Sequence, residues 1–338
     1  MRANLRRYRA IRAALLQAYP GQPTGTVARH LTTLAALISG IVGSKSTQLP
    51  HIATKIPDST QAESRVKRLA RWVRNDKITT EVYFVPYAQL LLAQLALQTL
   101  VLIIDGSVVG RRCGALMMQV VYKGRSLPLA WLVRPGKKGH CPEHWPIALV
   151  EQVQALLPAG AQVVLLGDGE FDGTDLQHTL AEAGWSYVCR TGCHLTASWE
   201  GETFRLDTLG ACSTPGTLMA LHEVRFTEDA YGPILLMCCW AKGYQEPLYL
   251  ISNMASADEA GRLYGKRFRI ETFFSDQKSR GFHIHKSHLA EPLRLSRLLI
   301  ATCLAYIWVV YLGALCMQDG WMNINPTTMF DIDTLPFS

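Results

Sequence analysis

Acidic residues are scarce at the start of this 338-residue chain: four of its 27 Asp and Glu fall within the first 81 residues, against 14 of its 34 Lys and Arg. The formal charge of +7 therefore belongs to the N-terminal part rather than to the chain as a whole. The nine cysteines include no C-x-x-C pair, and no apolar leader follows the basic opening MRANLRRYRAIRAALLQAYPGQP. Both absences favour a reducing cytoplasm. The segment GHCPEHW brings His140, Cys141 and His144 together but lacks a second ligand pair at zinc spacing, which sets a zinc site aside. Cys189 and Cys193 in CRTGCH have the wrong spacing for a redox pair. Charge is missing altogether from Leu298 to Met317, a length that could cross a bilayer or form the buried core helix of a large protein.

What is present divides the chain into five parts. Residues 1–95 read as helical and basic, with Pro50 and Pro57 as breakers and Ser59 or Thr60 as a cap for the helix SRVKRLARWVRN. Val66, Leu69, Ala70 and Val73 make one apolar face of that helix, while Arg65, Lys67, Arg68, Arg71 and Arg74 crowd the others. Such a helix suits a DNA-binding module, and equally a solvated charged face. Residues 96–191 change period: three strand-like runs, a helix, a strand ending in Asp168, a short helix and a final strand. Three strands joined to parallel strands by helical crossovers is the order of a ribonuclease-H-like α/β core. Residues 192–254 are short strand-like runs between turns, a β-rich insertion. Residues 255–316 return to helix, and 317–338 form a polar, mildly acidic tail.

The helical stretch YGKRFRIETFFSDQK carries the most specific pattern. At about 100° per residue, Tyr264, Arg267, Glu271 and Lys278 fall within about 60° of one another, a single stripe. Taken alone, Arg267 and Glu271 are also an ordinary surface pair four residues apart. The expectation changes once Asp105 and Asp168 are added, because each terminates an apolar strand and the two strands are predicted to lie side by side. Two neighbouring carboxylates repel unless a cation intervenes. With Glu271 they form an all-oxygen set suited to Mg²⁺ or Mn²⁺, and two such ions about 3.5–4 Å apart serve in-line phosphoryl displacement.

The spacing Tyr264, Arg267, Glu271, Lys278 resembles the Y-R-E-K signature of bacterial insertion-sequence DDE transposases of the insertion-sequence-four family. LIIDGS and LLGDGEFDG resemble that family's first and second aspartate motifs, and the likeness runs from about residue 40 to 312. The resemblance implies a cut-and-paste DNA transposase with Asp105, Asp168 and Glu271 as catalytic and metal-binding triad, with Tyr264, Arg267 and Lys278 holding phosphates, and with the N-terminal arginines and lysine binding DNA. It also implies two Mg²⁺ ions, terminal-repeat and target DNA as partners, a homodimer in the synaptic complex, a bacterial cytoplasmic setting and no membrane. Trp240 is the insertion's aromatic expected to stack on an extruded base, with Trp199 as competitor and core packing as the alternative for both. The sequence departs from the family in two places. Glu170 and Asp172 are extra acids beside Asp168, with Asp172 expected to serve a turn, and the tail lacks a closing basic helix. Two other readings stay open at this level: a transposase-derived DNA-binding protein without catalysis, and a single-span membrane protein.

Overall fold

The computed structural model describes residues 2–136 and 141–318. The His140 of the discounted zinc segment and the tail beyond Gln318 lie outside them. Six helices come first: α1 (Arg2–Ala18), α2 (Gly25–Ser44), α3 (Leu49–Thr54), α4 (Ala62–Arg74), α5 (Thr80–Tyr83) and α6 (Val85–Leu95). Pro50 does not break a helix but opens α3 in its first turn, where its missing N–H costs nothing. Neither Ser59 nor Thr60 caps α4. Thr60 instead donates through N and Oγ1 to Asp58 Oδ1, and Gln61 takes the capping position without a side-chain bond. The buried face of α4 is Leu69, Trp72 and Val73, since the Trp72 indole reaches the His30 carbonyl of α2 while Val66 and Ala70 stay half-buried.

Beyond the helices the chain forms β1 (Leu100–Gly110), β2 (Cys113–Tyr122), β3 (Arg125–Pro135), α7 (His144–Gln154), β4 (Val163–Gly167), α8 (Thr174–Glu182) and β5 (Ser186–Thr191). There follow β6 (Thr196–Trp199), β7 (Glu202–Arg205), α9 (Asp207–Ala211), β8 (Leu218–Phe226), β9 (Tyr231–Cys239), β10 (Leu248–Ser252), α10 (Ala257–Tyr264), α11 (Arg269–Ser275) and α12 (Pro292–Gln318). All ten strands join one sheet in the order β3-β2-β1-β4-β5-β10-β9-β8-β6-β7. The first half has the antiparallel meander and two parallel additions expected of a ribonuclease-H-like core. The insertion is not a separate unit: β10 pairs antiparallel with β5 and carries the remaining strands outward as an extension of the same sheet.

Directly opposed residues of paired strands share a face. Asp105 therefore lies on the same side as Met117 and Trp131, and the Trp131 indole donates to Ser296 on α12. The uncharged C-terminal stretch is thus a core helix, buried from Leu295 through Tyr306 along the side that packs on β3 and α2. Both α2 and α12 are long and apolar enough to cross a membrane, and here they bury their apolar faces against each other. Arg297 on α12 donates to the carbonyls of Val73 and Ile78, which ties the basic helix α4 to the helix packed on the sheet. The helix α11 is seated on β3 and β1, with the fully buried Phe273 ring edge-on to Tyr306 at 4.9 Å. Phe273→Ala removes that seat and is expected to cost about 3–5 kcal/mol in guanidinium unfolding; a loss under about 1 kcal/mol would show that α11 is held by something else.

Candidate active site

The parallel register of β1 and β4 matches Ile103 with Leu166, so Asp105 and Asp168 each stand two residues further along neighbouring strands. Asp168 follows the last residue of β4. Asp105, in contrast, does not end its strand: β1 continues to Gly110 because β2 goes on supplying hydrogen-bond partners after the apolar run stops. The last residue of β4 is Gly167, where an added Cβ would stand 2.8 Å from the Phe171 Cβ, closer than real side chains approach. The glycine lets the loop fold back tightly, and Asp168 Oδ1 accepts from Glu170 N at 3.0 Å to close it.

Glu271 reaches the same place from α11. The expected continuous helix over this region is interrupted: α10 ends at Tyr264, the chain turns through residues 265–268, and α11 gives way to a π-helical stretch at Asp276–Arg280. The single stripe therefore does not hold for Tyr264, which is 4% exposed and lies outside the cleft lining. Burial pushes its hydroxyl pKa up to about 12, against the pull of the nearby Arg267 and Arg190. Arg267, Glu271 and Lys278 do converge, with Asp105, Asp168, Ser107, Phe274 and Ser275, around a cleft of about 380 Å³.

Arg267 is the resident cation there. Its Nη2 donates to Glu271 Oε1 at 3.0 Å, its Nη1 lies 3.8 Å from Asp105 Oδ2, and its Cζ sits 4.5 Å over the Phe268 ring. The Arg267 side chain is 10% exposed whereas that of Glu271 is 55% exposed, so the arginine is fixed and the glutamate can swing. Lys278 Nζ donates to Ser107 Oγ at 2.5 Å. Ser107 and Arg190 were both missed from sequence. Ser107 follows Asp105 by two on one strand and so shares its face, and Arg190 follows Cys189, the register partner of Gly167, which sets it level with Asp168.

The donor set of three carboxylates and hydroxyls fits a hard divalent ion. Among the described residues, however, no three His, Cys, Asp or Glu side chains stand close enough to ligate one ion as they are placed. The guanidinium between Asp105 and Glu271 supplies the countercharge, and Glu271 is the exposed member of the three carboxylates. Asp172 faces elsewhere, accepting from Thr191 Oγ1 at 2.8 Å at the end of β5.

The N-terminal basic residues divide. Arg65 and Arg68 turn to Asp58, at 3.7 and 2.6 Å, and Arg65 also donates to the Ile56 carbonyl. Lys67, Arg71 and Arg74 are exposed and follow one another at helical spacing along α4. None of the five lines the cleft. Trp240 does not line it either, but the strand registers locate it. Asp168 is level with Arg190, Leu250 and Met237 in turn, so Trp240 lies three strands across and three residues beyond, about 14 Å and 10 Å, at the same end of the sheet. Trp199 belongs to the β6–β7 hairpin, whose partner residues Arg225 and Phe226 are at the far end of β8.

A family model described as transposase DDE domain matches residues 97–308. The chain belongs to that family. No curated protein matches the sequence. Among solved structures, a piggyBac transposase in a synaptic complex with hairpin DNA superposes with a TM-score of 0.50 at 13% identity, covering 91% of this chain and 75% of that one. An endonuclease V of Ciona intestinalis in complex with inosine-containing DNA gives a TM-score of 0.33 at 14% identity, over 53% of this chain and 85% of that one. The first of these shows that the transposase domain has the ribonuclease-H-like fold.

The π-helical stretch that carries Lys278 is anchored by a buried ion pair, Arg125 Nη1 to Asp276 Oδ2 at 3.5 Å. Burial raises the Asp276 pKa to about 6, with Arg125 opposing. A carboxyl whose folded pKa exceeds its unfolded value near 3.9 stabilises most below that value, and the contribution is lost as pH rises through about 6. Guanidinium midpoints are therefore expected to fall between about pH 4 and 6, and Asp276→Asn to flatten that part of the profile; an unchanged profile in the variant would contradict the assignment.

Proposed function

We propose that this transposase is a bacterial insertion-sequence enzyme of the insertion-sequence-four type, which binds the terminal inverted repeats of its element and carries out cut-and-paste transposition. The observation that carries the reading is the convergence of Asp105, Asp168, Glu271, Arg267 and Lys278 on one cleft inside the matched domain. Asp105, Asp168 and Glu271 would hold Mg²⁺ or Mn²⁺, two ions in all, which when bound lower the pKa of the attacking water and offset charge on the leaving oxygen.

The protein's own groups do the positioning. Lys278, steadied by Ser107, and Arg267, stacked on Phe268, face the cleft with donors suited to the non-bridging oxygens of the scissile phosphate. Tyr264 is buried outside the cleft lining, with Arg267 and Arg190 near enough for their charge to act on its hydroxyl. Water attacks the phosphorus, the bond to the 3′ oxygen breaks, and a free 3′ hydroxyl is left. That hydroxyl then attacks a second phosphorus, the bond from that phosphorus to its own 3′ oxygen breaks, and the strands are joined while the displaced oxygen takes up the proton as a new 3′ hydroxyl. The piggyBac relative was captured with hairpin DNA, and a hairpin route fits this site through Trp240, which the sheet extension carries to the cleft end where an extruded base could stack. The exposed Lys67, Arg71 and Arg74 of α4 are assigned to backbone phosphates, whereas Arg65 and Arg68 are spent on Asp58. The working assembly is a homodimer on two ends, in the bacterial cytoplasm.

The test is cleavage of a labelled duplex carrying the element's terminal repeat, with Mg²⁺, comparing wild type and Glu271→Gln. Wild type is expected to nick at the repeat boundary, and the variant to bind equally but nick at least about a thousandfold more slowly. If both bind and neither nicks, the chain is a DNA-binding descendant without chemistry. On the same duplex, Lys67→Gln with Arg71→Gln is expected to lower the salt slope of binding by about 2, whereas Arg65→Gln changes it little; equal effects would show that the pairing with Asp58 does not withhold Arg65 from DNA.

A further inference from the structure

A second cleft of about 380 Å³ lies in the N-terminal region, where Arg7 of α1, the end of α2 at Gly43–Lys45, and His51 and Lys55 of α3 and its cap come together. Its ring of cationic side chains contains no Asp or Glu. Among the described residues no ion pair engages Arg7, Lys45, His51 or Lys55.

Arg7 is held rigidly by neutral groups. Its Nε donates to the Ser39 carbonyl at 2.9 Å and to Ser39 Oγ at 3.3 Å, and its Nη2 donates to Asn4 Oδ1 at 2.9 Å. These bonds orient the guanidinium without neutralising it, and burial holds its pKa below the usual value. A Cβ at Gly43 would collide with the Arg7 guanidinium, so the absence of a side chain there is what lets the arginine lie across α2. Lys45 occupies a left-handed position, φ 51°, at the end of α2, where glycine is the usual choice. A fixed, uncompensated arginine with lysines around an open cleft is the chemistry of a phosphate seat.

The cleft is also joined to the catalytic one by a short run of bonds. Ser46 Oγ bonds His51 Nδ1 at 3.2 Å, Thr47 Oγ1 donates to the His283 carbonyl at 3.1 Å, and His283 N donates to the carbonyl of Lys278 at 3.0 Å. The side chains of His285, Lys286 and His288 are exposed along this ridge.

We infer that the cleft formed by Arg7, Lys45, His51 and Lys55 seats a backbone phosphate of the DNA duplex on which the catalytic cleft acts. The inference rests on the DNA reading above and adds a contact outside the signature residues and outside α4. Because the bound group is a phosphate of the backbone, the contact is indifferent to base sequence and strengthens as salt falls.

The experiment is fluorescence-anisotropy titration of the full chain with a labelled terminal-repeat duplex across a KCl series. The pair Lys45→Asn, Lys55→Gln is compared with wild type, with Lys45→Arg, Lys55→Arg, and with Lys67→Gln. Asn keeps the left-handed backbone accessible at position 45. The neutral pair is expected to bind several-fold more weakly and to lower the slope of log Kd against log [KCl] by about 1, with an unchanged melting temperature, and the arginine pair to restore the slope. If the neutral pair matches wild type while Lys67→Gln weakens binding, the seat is overturned and the DNA reading survives. If wild type binds no duplex at any salt, the DNA reading falls and takes the seat with it. Calorimetric titration with inorganic phosphate supplies the remaining arm: phosphate binding that disappears in the neutral pair, with duplex binding unaffected, makes this a free-anion site and overturns the backbone assignment.

Discussion

Three carboxylates directed at one cleft repel one another, and the rest of the site is arranged around that repulsion. Arg267 answers it in this structure by spanning Asp105 and Glu271 from a nearly buried position over Phe268. Breaking a buried pair by removing one partner is costly, so the arginine is anchored while the charge that can move is Glu271, the exposed member. The arrangement offsets part of the carboxylate charge in the cleft and leaves Glu271 as its exposed carboxylate. Lys278 supplies a second positive charge on the far side, fixed by Ser107.

The packing serves the same end. The helix carrying Glu271 packs on β3, its Phe273 ring stands edge-on to Tyr306 of α12, and its continuation is pinned by the Arg125–Asp276 pair, so the glutamate enters the cleft from a firm base. The apolar helix α12 lies behind, joining the sheet through Trp131 and the N-terminal helices through Arg297. The insertion gains its geometry from the sheet itself. Because β10 continues directly from β5, Trp240 is positioned by strand register and not by a flexible linker.

Much of this was legible in the sequence, for physical reasons that differ by residue. Asp105 and Asp168 follow apolar runs, and the meander followed by helical crossovers leaves few ways to order the strands, so their adjacency could be read before any coordinates. The spacing of Arg267 and Glu271 survives although Arg267 lies in the turn ahead of α11, because Ile270 N donates to the Arg267 carbonyl and Glu271 N to the Phe268 carbonyl, which keeps the chain coiled from one residue to the other. Tyr264 did not survive, since periodicity assumes an uninterrupted helix and carries no sign of the turn at residues 265–268 or of the π-helical stretch after Ser275. The five basic residues near α4 looked alike as letters. Only the fold back to Asp58 separates Arg65 and Arg68 from the three that remain exposed. The Arg7 cleft was beyond sequence reasoning because it assembles from α1, α2 and α3, and the basic start of the chain reads simply as a charged helix face.

The proposed chemistry requires the carboxylate cleft to take up divalent metal in place of part of its arginine countercharge. The most direct measurement is the electron paramagnetic resonance signal of free Mn²⁺ during titration of the protein, wild type against Asp105→Asn, with no DNA cleavage involved. The wild type is expected to remove Mn²⁺ from the free pool and the variant to remove markedly less, because Asp105 is the most deeply placed of the three carboxylates. Equal uptake by the two proteins would mean that any metal bound lies elsewhere, and the cleft would no longer explain the chemistry.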